Sequence, residues 1–268
     1  MIEPIVSATW LFNHLNDPDL IILDASQKTA SGDFNNTRIK GARHFDLNNE
    51  FRDTSNELPN TFPSAEQFEK NCRKLGINRS SKIVVYDNLG IYLSPRVWWM
   101  FKTMGHQNVA VLNGGLPEWI RLGYTSVSEK GNNVLPGDFQ SKFNPEMLKD
   151  YNFISSNISL QESVLIDARS AGRFEGIAPE PREGLPSGHI PGSINLPYTA
   201  VLKNGKFKPK EDLVELFNTL NIEEKSLVFS CGSGITACII LLASELVVDN
   251  KKSVYDGSWT EWAQNRTK

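Results

Sequence analysis

The chain repeats itself, and this restricts it to folds that a half-length unit can adopt twice. Residues 20–25 (LIILDA) recur as 164–168 (VLIDA), 83–87 (IVVYD) as 227–231 (LVFSC), and 111–119 (VLNGGLPEW) as 254–262 (VYDGSWTEW). Asp24 aligns with Asp167, Asp87 with Cys231 and Trp119 with Trp262, at offsets of 143, 144 and 143 residues. A near-constant spacing over three blocks indicates a duplicated unit. Within each copy, short apolar runs alternate with amphipathic stretches such as 64–75 and 210–220. That alternation predicts an α/β fold, a parallel sheet covered by helices on both faces, built twice. Between about 124 and 162 the pattern weakens into Gly, Pro, Asn and Ser, and this stretch reads as the connection. The expected domains are therefore 1–140 and 141–268.

Composition excludes several classes. With 268 residues, 40% hydrophobic and 22% charged, the chain suits a globular protein whose halves can each bury a core. A net charge of −3 gives no pull toward nucleic acid or an anionic membrane, so an anionic substrate must be captured by local arginines. The three cysteines, Cys72, Cys231 and Cys238, are too few and too scattered for a disulfide framework, and no Cys/His cluster has metal-site spacing. Neither a secretory leader nor an apolar run long enough to span a bilayer is evident. A cytoplasmic protein with no metal site and no membrane or nucleic-acid partner is expected.

Chemistry is concentrated at Cys231. The run 226–229 reads as a buried strand, 232–235 is Gly-Ser-Gly-Ile, and an apolar helical run follows from about Thr236 to Val247. A strand, a glycine-bearing turn and a helix start let successive backbone N–H groups point at one spot. Such a cradle favours a thiolate over a thiol and marks a nucleophile. The plainer alternative is a structural cysteine, the usual fate of a buried one. Cys72 falls at helical spacing with Phe68 and Leu75 and reads as core. Cys238, two turns along the helix from Cys231, has a core role as its default. The first copy carries Asp87 where the second has Cys231, so the first half reads as a supporting domain. A Cys-based phosphatase needs arginine six residues after the nucleophile, where this chain has Ala237. A nucleotide-binding P-loop fails too, because no Lys-Ser/Thr follows the glycines.

Three segments together resemble the tandem rhodanese-like sulfurtransferases: 188–193 (GHIPGS), the loop 231–236 (CGSGIT) followed by Ala237-Cys238, and 255–262 (YDGSWTEW). The likeness covers nearly the whole chain and implies two rhodanese-like domains, the first without the nucleophile. The loop and the stretch 167–182, with Arg169, Arg173, Glu180 and Arg182, are similar to the mercaptopyruvate-using branch. Thiosulfate-preferring members carry basic residues directly after the cysteine, where this chain has the neutral Gly232 and Ser233.

The resemblance implies that Cys231 takes sulfur from a small-molecule donor, 3-mercaptopyruvate, as a persulfide with release of pyruvate, and passes it without an organic cofactor to cyanide or to a thiol such as thioredoxin or glutathione. Thiosulfate as donor, and a persulfide carrier without its own catalysis, are the alternatives. It further implies that Arg173 and Arg182 bind the donor's carboxylate and keto oxygens, a task suited to the planar guanidinium fork. Against this stands a surface ion pair with Glu175, Glu180 or Glu183, worth about 0–1 kcal/mol. Ser233 is assigned a catalytic hydroxyl role, and Gly232, Gly234, Ile235 and Thr236 the substrate-binding loop. A turn serine and a helix-capping threonine would also account for Ser233 and Thr236. Asp256, Trp259, Trp262 and His189 read as structural. One position departs from the pattern. Arg38 stands in the first copy where the family has a histidine, and an arginine cannot serve as a general base; His44, six residues on, is a poor substitute.

Overall fold

The computed structural model describes residues 2–27, 37–128 and 134–266. Residues 34–36, before Arg38, and 131–133, in the expected connection, lie outside the described residues. Two compact units divide the chain. One comprises Met1–Asp53, Phe62–Asn144 and Asn204–Phe207; the other comprises Thr54–Thr61, Pro145–Lys203 and Lys208–Lys268.

The first unit is built on β1 (Ile5–Val6), β2 (Leu20–Asp24), β3 (Arg43–His44), β4 (Lys82–Tyr86) and β5 (Val109–Leu112). Their spatial order is β1-β5-β4-β2-β3, and every pairing is parallel. The second unit has β6 (Leu148–Lys149), β7 (Ser163–Asp167), β8 (Ile194–Asn195), β9 (Ser226–Ser230) and β10 (Lys252–Tyr255). Its order, β6-β10-β9-β7-β8, repeats the first strand for strand, again all parallel. The duplication read from three sequence blocks therefore extends to the complete sheet. Parallel strands buried on both faces should be apolar throughout rather than alternating, and Ile83, Val84, Val85 and Leu227, Val228, Phe229 are.

Helices cover both sheets. In the first unit α1 (Ala8–Asn13) is capped by the Ser7 hydroxyl and α2 (Ala65–Lys74) by that of Ser64. Phe68 and Cys72 face inward from α2, as their spacing predicts, and burial pushes the Cys72 thiol well up, with Glu69 adding to it. Next, α3 (Ser94–Thr103) buries nearly every residue, Trp98 and Trp99 included, and α4 (Gly115–Arg121) follows β5. The second unit has α5 (Tyr151–Leu160), α6 (Ala171–Phe174), α7 (Lys210–Asn218), α8 (Ala237–Glu245) and α9 (Ser258–Arg266). From Ala237 to Ser244 every residue of α8 is buried, so this helix runs through the core.

One expectation is corrected here. The stretch 124–162, read as a connection, contains β6 and α5. The helix escapes sequence reasoning because its residues, YNFISSNISL, are mediocre helix formers with one buried anchor, Ile154. Asp150 starts it by accepting from the Phe153 amide, which satisfies an end that propensity alone would leave frayed.

Candidate active site

In an open parallel sheet the loops at the carboxyl ends of the central strands form the ligand crevice. Three such loops of the second unit meet around Cys231. The nucleophile candidate directly follows β9, the central strand. Arg169 and Arg173 follow β7, and Ser258 and Thr260 follow β10.

Backbone contacts hold the loop 231–236 from the β10 side. The Cys231 amide donates to Ser258 Oγ at 3.2 Å, and the Trp259 amide donates to the Cys231 carbonyl at 2.9 Å. The Gly232 carbonyl accepts from the Thr260 amide at 3.1 Å and from Thr260 Oγ1 at 2.7 Å. Ser258 has a φ of +53°, a left-handed conformation unusual for serine, and its hydroxyl also donates to the Tyr255 carbonyl at 2.9 Å. Within the loop Gly234 has a φ of +80°, which glycine accommodates without strain. Gly232 is different. Its φ is ordinary, and its lack of a side chain matters for space, since a Cβ there would lie 2.9 Å from Arg173 Nη2.

With the loop so fixed, Cys231 is only 2% exposed, and the amides of Ser233, Ile235 and Thr236 have no protein acceptor among the described residues. Thr236 does not cap α8 with its side chain. Its backbone is already helical (φ −70°, ψ −18°), which does not place its hydroxyl over the first-turn amides. Ser233 is held from another part of the unit. Asn60 Nδ2 donates to both its carbonyl and its Oγ, each at 3.1 Å. Asn60 itself adopts a φ of +59°.

Both arginines adjoin this loop. Arg182 Nη1 donates at 3.2 Å to Thr260 Oγ1, which in turn donates to the Gly232 carbonyl. Arg173 lies against Gly232 and pairs with Glu180 through Nε–Oε1 (3.1 Å) and Nη2–Oε2 (2.5 Å). That partner is no surface group, because the Glu180 side chain is 2% exposed. Its Oε1 also accepts from Arg169 Nη1 at 2.7 Å. Arg169, wholly buried, is gripped by both oxygens of Asp167, donates to the Gly188 carbonyl and lies 4.5 Å over the Trp259 ring. Burial works against its charge, but the bonds and charges of Asp167 and Glu180 outweigh that and raise its pKa.

Cys238 is buried in α8 with its thiol donating to the Gly234 carbonyl at 3.4 Å, a core and loop-bracing role. His189 stacks on Phe174 (centroids 4.3 Å apart) and bonds the Phe174 carbonyl, as a structural residue would. Trp259 Nε1 donates to the Pro186 carbonyl and Trp262 packs on Tyr151. Arg38 lies in a short antiparallel ribbon opposite Val127 in the first unit, and His44 ends β3 there. Among the described residues no cluster of His, Cys, Asp or Glu could hold a metal, and no helix is long and apolar enough to cross a membrane.

Sequence reasoning missed Asn60, Arg169, Glu180, Ser258 and Thr260 as parts of this site. Arg169, Glu180, Ser258 and Thr260 lie in the segments that carry the family resemblance, but only Ser258 left a conformational trace. It aligns with Gly115, whose φ of +54° matches, so aligning the copies marks a serine where glycine is the natural residue.

The chain is similar to known proteins over nearly its whole length. The rhodanese-like domain family matches residues 7–122 and again 152–265. "Thiosulfate/3-mercaptopyruvate sulfurtransferase 2" of Arabidopsis thaliana is 39% identical, over 97% of this chain and 84% of that protein. The 3-mercaptopyruvate sulfurtransferase of Escherichia coli K12 is 37% identical, over 96% of this chain and 94% of its own. A crystal structure of an E. coli 3-mercaptopyruvate sulfotransferase superposes with a TM-score of 0.83 at 34% identity, covering 96% of this chain and 99% of that one.

Proposed function

The chain belongs to the rhodanese-like family as a tandem sulfurtransferase, and from that premise we propose a two-step transfer of sulfur from 3-mercaptopyruvate through Cys231. In the first step the Cys231 thiolate attacks the donor's sulfur and the carbon–sulfur bond breaks. The electron pair passes to the departing carbon, which takes up the proton once carried by the donor thiol, and pyruvate leaves. The sulfur stays on Cys231 as a persulfide anion. In the second step an acceptor thiolate, or cyanide, attacks the outer sulfur and regenerates the Cys231 thiolate. This is nucleophilic catalysis that splits one transfer into two displacements.

The observation that carries the proposal is the open loop beside two guanidinium groups. Amides of Ser233, Ile235 and Thr236 without protein acceptors are available to an anion at sulfur, first the thiolate and then the persulfide. Arg173 and Arg182 adjoin the same loop and suit the donor's carboxylate and keto oxygens. Ser233, with its Oγ accepting from Asn60, retains its proton to donate toward the reacting sulfur or the substrate. Thiosulfate is the second donor to consider, because the Arabidopsis relative's name includes it. The loop places no cation directly after Cys231, which favours the donor whose charge lies away from its sulfur. For the acceptor we propose a small or protein thiol of the glutathione or thioredoxin kind in the cytoplasm, a reducing setting that suits three free cysteines.

The test is pyruvate release by the purified protein given 3-mercaptopyruvate and cyanide. Cys231→Ser should abolish both turnover and the added mass of one sulfur, while Cys72→Ser should leave both intact. Arg182→Ala should lower kcat/KM for mercaptopyruvate by about 1.5–3 kcal/mol and slow cyanide attack on the preformed persulfide less. A persulfide found on Cys72 or Cys238 during turnover overturns the assignment.

A further inference from the structure

Two arginines beside a loop of open amides should welcome a compact dianion at least as well as a single carboxylate, yet one of them is already paired. We infer that Glu180 is a specificity-determining positioning residue. It aims Arg173 at the loop and cancels its charge, so the site favours a donor with one negative charge. This rests on the carboxylate-donor reading above.

The geometry separates Glu180 from an incidental ion-pair partner. Its carboxylate engages Arg173 side-on, through Nε and Nη2, which leaves the end-on edge of Nη1 and Nη2 for a second carboxylate. Nη2 is also the atom that a Cβ on Gly232 would meet, so the same pairing presses the guanidinium against the nucleophile's loop. Arg173 is the only member of the group with appreciable exposure, its side chain 24% accessible against 2% for Glu180 and 0% for Arg169. Glu180 cannot swing away with a substrate. Arg169 holds its Oε1, and Arg169 is itself fixed by Asp167, the Gly188 carbonyl and the Trp259 ring.

Charge arithmetic gives the consequence. Asp167 and Glu180 balance Arg169 and Arg173, so this buried set is neutral and Arg182 alone adds a net positive charge. One unbalanced cation matches a monocarboxylate. Glu180→Gln keeps the size and one acceptor oxygen but leaves a second cation unbalanced, and it turns an amide donor toward a guanidinium. Mercaptopyruvate should lose its aligned clamp while a dianion gains attraction.

The experiment measures kcat/KM for thiosulfate and for 3-mercaptopyruvate, with cyanide as common acceptor, in the full-length wild-type protein, Glu180→Gln and Glu180→Asp. In Glu180→Gln the thiosulfate-to-mercaptopyruvate ratio should rise by about tenfold or more, and the rise should shrink with added salt. Glu180→Asp retains the charge and should keep the wild-type ratio while raising KM for mercaptopyruvate. Equal losses for both donors in a folded Glu180→Gln would mean a merely structural role and overturn the inference alone. No pyruvate from the wild-type protein would overturn the carboxylate-donor reading and the inference with it. Should Glu180→Gln fail to fold, competition in the wild type decides the matter. Pyruvate should inhibit sulfur transfer at lower concentration than sulfate, and the reverse order overturns the inference.

Discussion

The same strand–loop–helix was made twice, and the two loops differ in what two of their amides bond. In the first copy the Asp87 carboxylate, wholly buried, fills its own cradle. Its Oδ1 accepts from the Leu89 amide at 2.9 Å, and its Oδ2 accepts from the amides of Tyr92, Leu93 and Ser94 at 3.1, 2.9 and 2.8 Å. The Ser94 hydroxyl adds a fifth bond at 2.7 Å. In the second copy Cys231 stands at the equivalent place, and the amides of Ser233 and Thr236, counterparts of Leu89 and Tyr92, have no protein acceptor among the described residues. The turn is the same in both, with φ of +99° at Gly90 and +80° at Gly234. The first loop therefore demonstrates within this molecule that the cradle binds an anion. One copy spends that capacity on its own side chain; under the proposed function the other keeps it for a sulfur anion on Cys231.

Converting one loop into the other is the strongest way to break this comparison. Cys231→Asp should be fully inactive yet folded, because a carboxylate is what the first cradle holds; an unfolded product in circular dichroism would show that the two loops are not equivalent. Asp87→Ala should lower stability by about 3 kcal/mol, since it strips several buried donors of their acceptor at once. Urea unfolding measures that loss, and a change below about 0.5 kcal/mol would mean that the bonds to Asp87 contribute little. Smaller still is Ser258→Gly, which gives the second copy the residue of the first. It should cost turnover by about 1 kcal/mol in kcat through loss of the Oγ bond to the Cys231 amide, with little change in stability because glycine relieves the left-handed φ.

The smallest effect concerns another aligned pair, Glu118 and Glu261. Hydrogen bonding to Arg121, with help from Lys206, holds Glu118 down at about 2, so its contribution is present above the ordinary carboxylate pKa and is lost as pH falls toward 2. Burial pushes Glu261 up, with Asp150 and Asp256 adding to it. Its contribution is present below the ordinary pKa and lost as pH rises through the raised one. At pH 7 Glu118→Gln should therefore lower the urea midpoint slightly and Glu261→Gln raise it. Shifts of the same sign would contradict the opposed environments.

The sequence carried the architecture in its duplication and in strands apolar on both faces, and the contrast of Asp87 with Cys231 singled out Cys231 as the nucleophile candidate. It also marked Arg173 and Arg182, which the structure brings to the loop. What it could not carry were the residues that act through the third dimension. Asn60 reaches Ser233 across 173 positions, and Thr260, though inside the segment 255–262, gives no sign in sequence that it ties Arg182 to Gly232. Glu180 looked like a surface partner because burial is not visible in a run of Glu, Pro and Arg. The reading of Thr236 as a cap failed for a related reason: a residue type was clear, but its backbone conformation was not.

The central claim, that the second cradle is open and serves the sulfur anion, is tested most directly by amide proton resonances recorded before and after the protein is loaded with sulfur from 3-mercaptopyruvate. The account predicts downfield shifts at Ser233 and Thr236 as their amides bond the persulfide, with Leu89 and Tyr92 unmoved beside Asp87. Unmoved resonances at Ser233 and Thr236 in a protein shown by mass to carry the extra sulfur on Cys231 would contradict it.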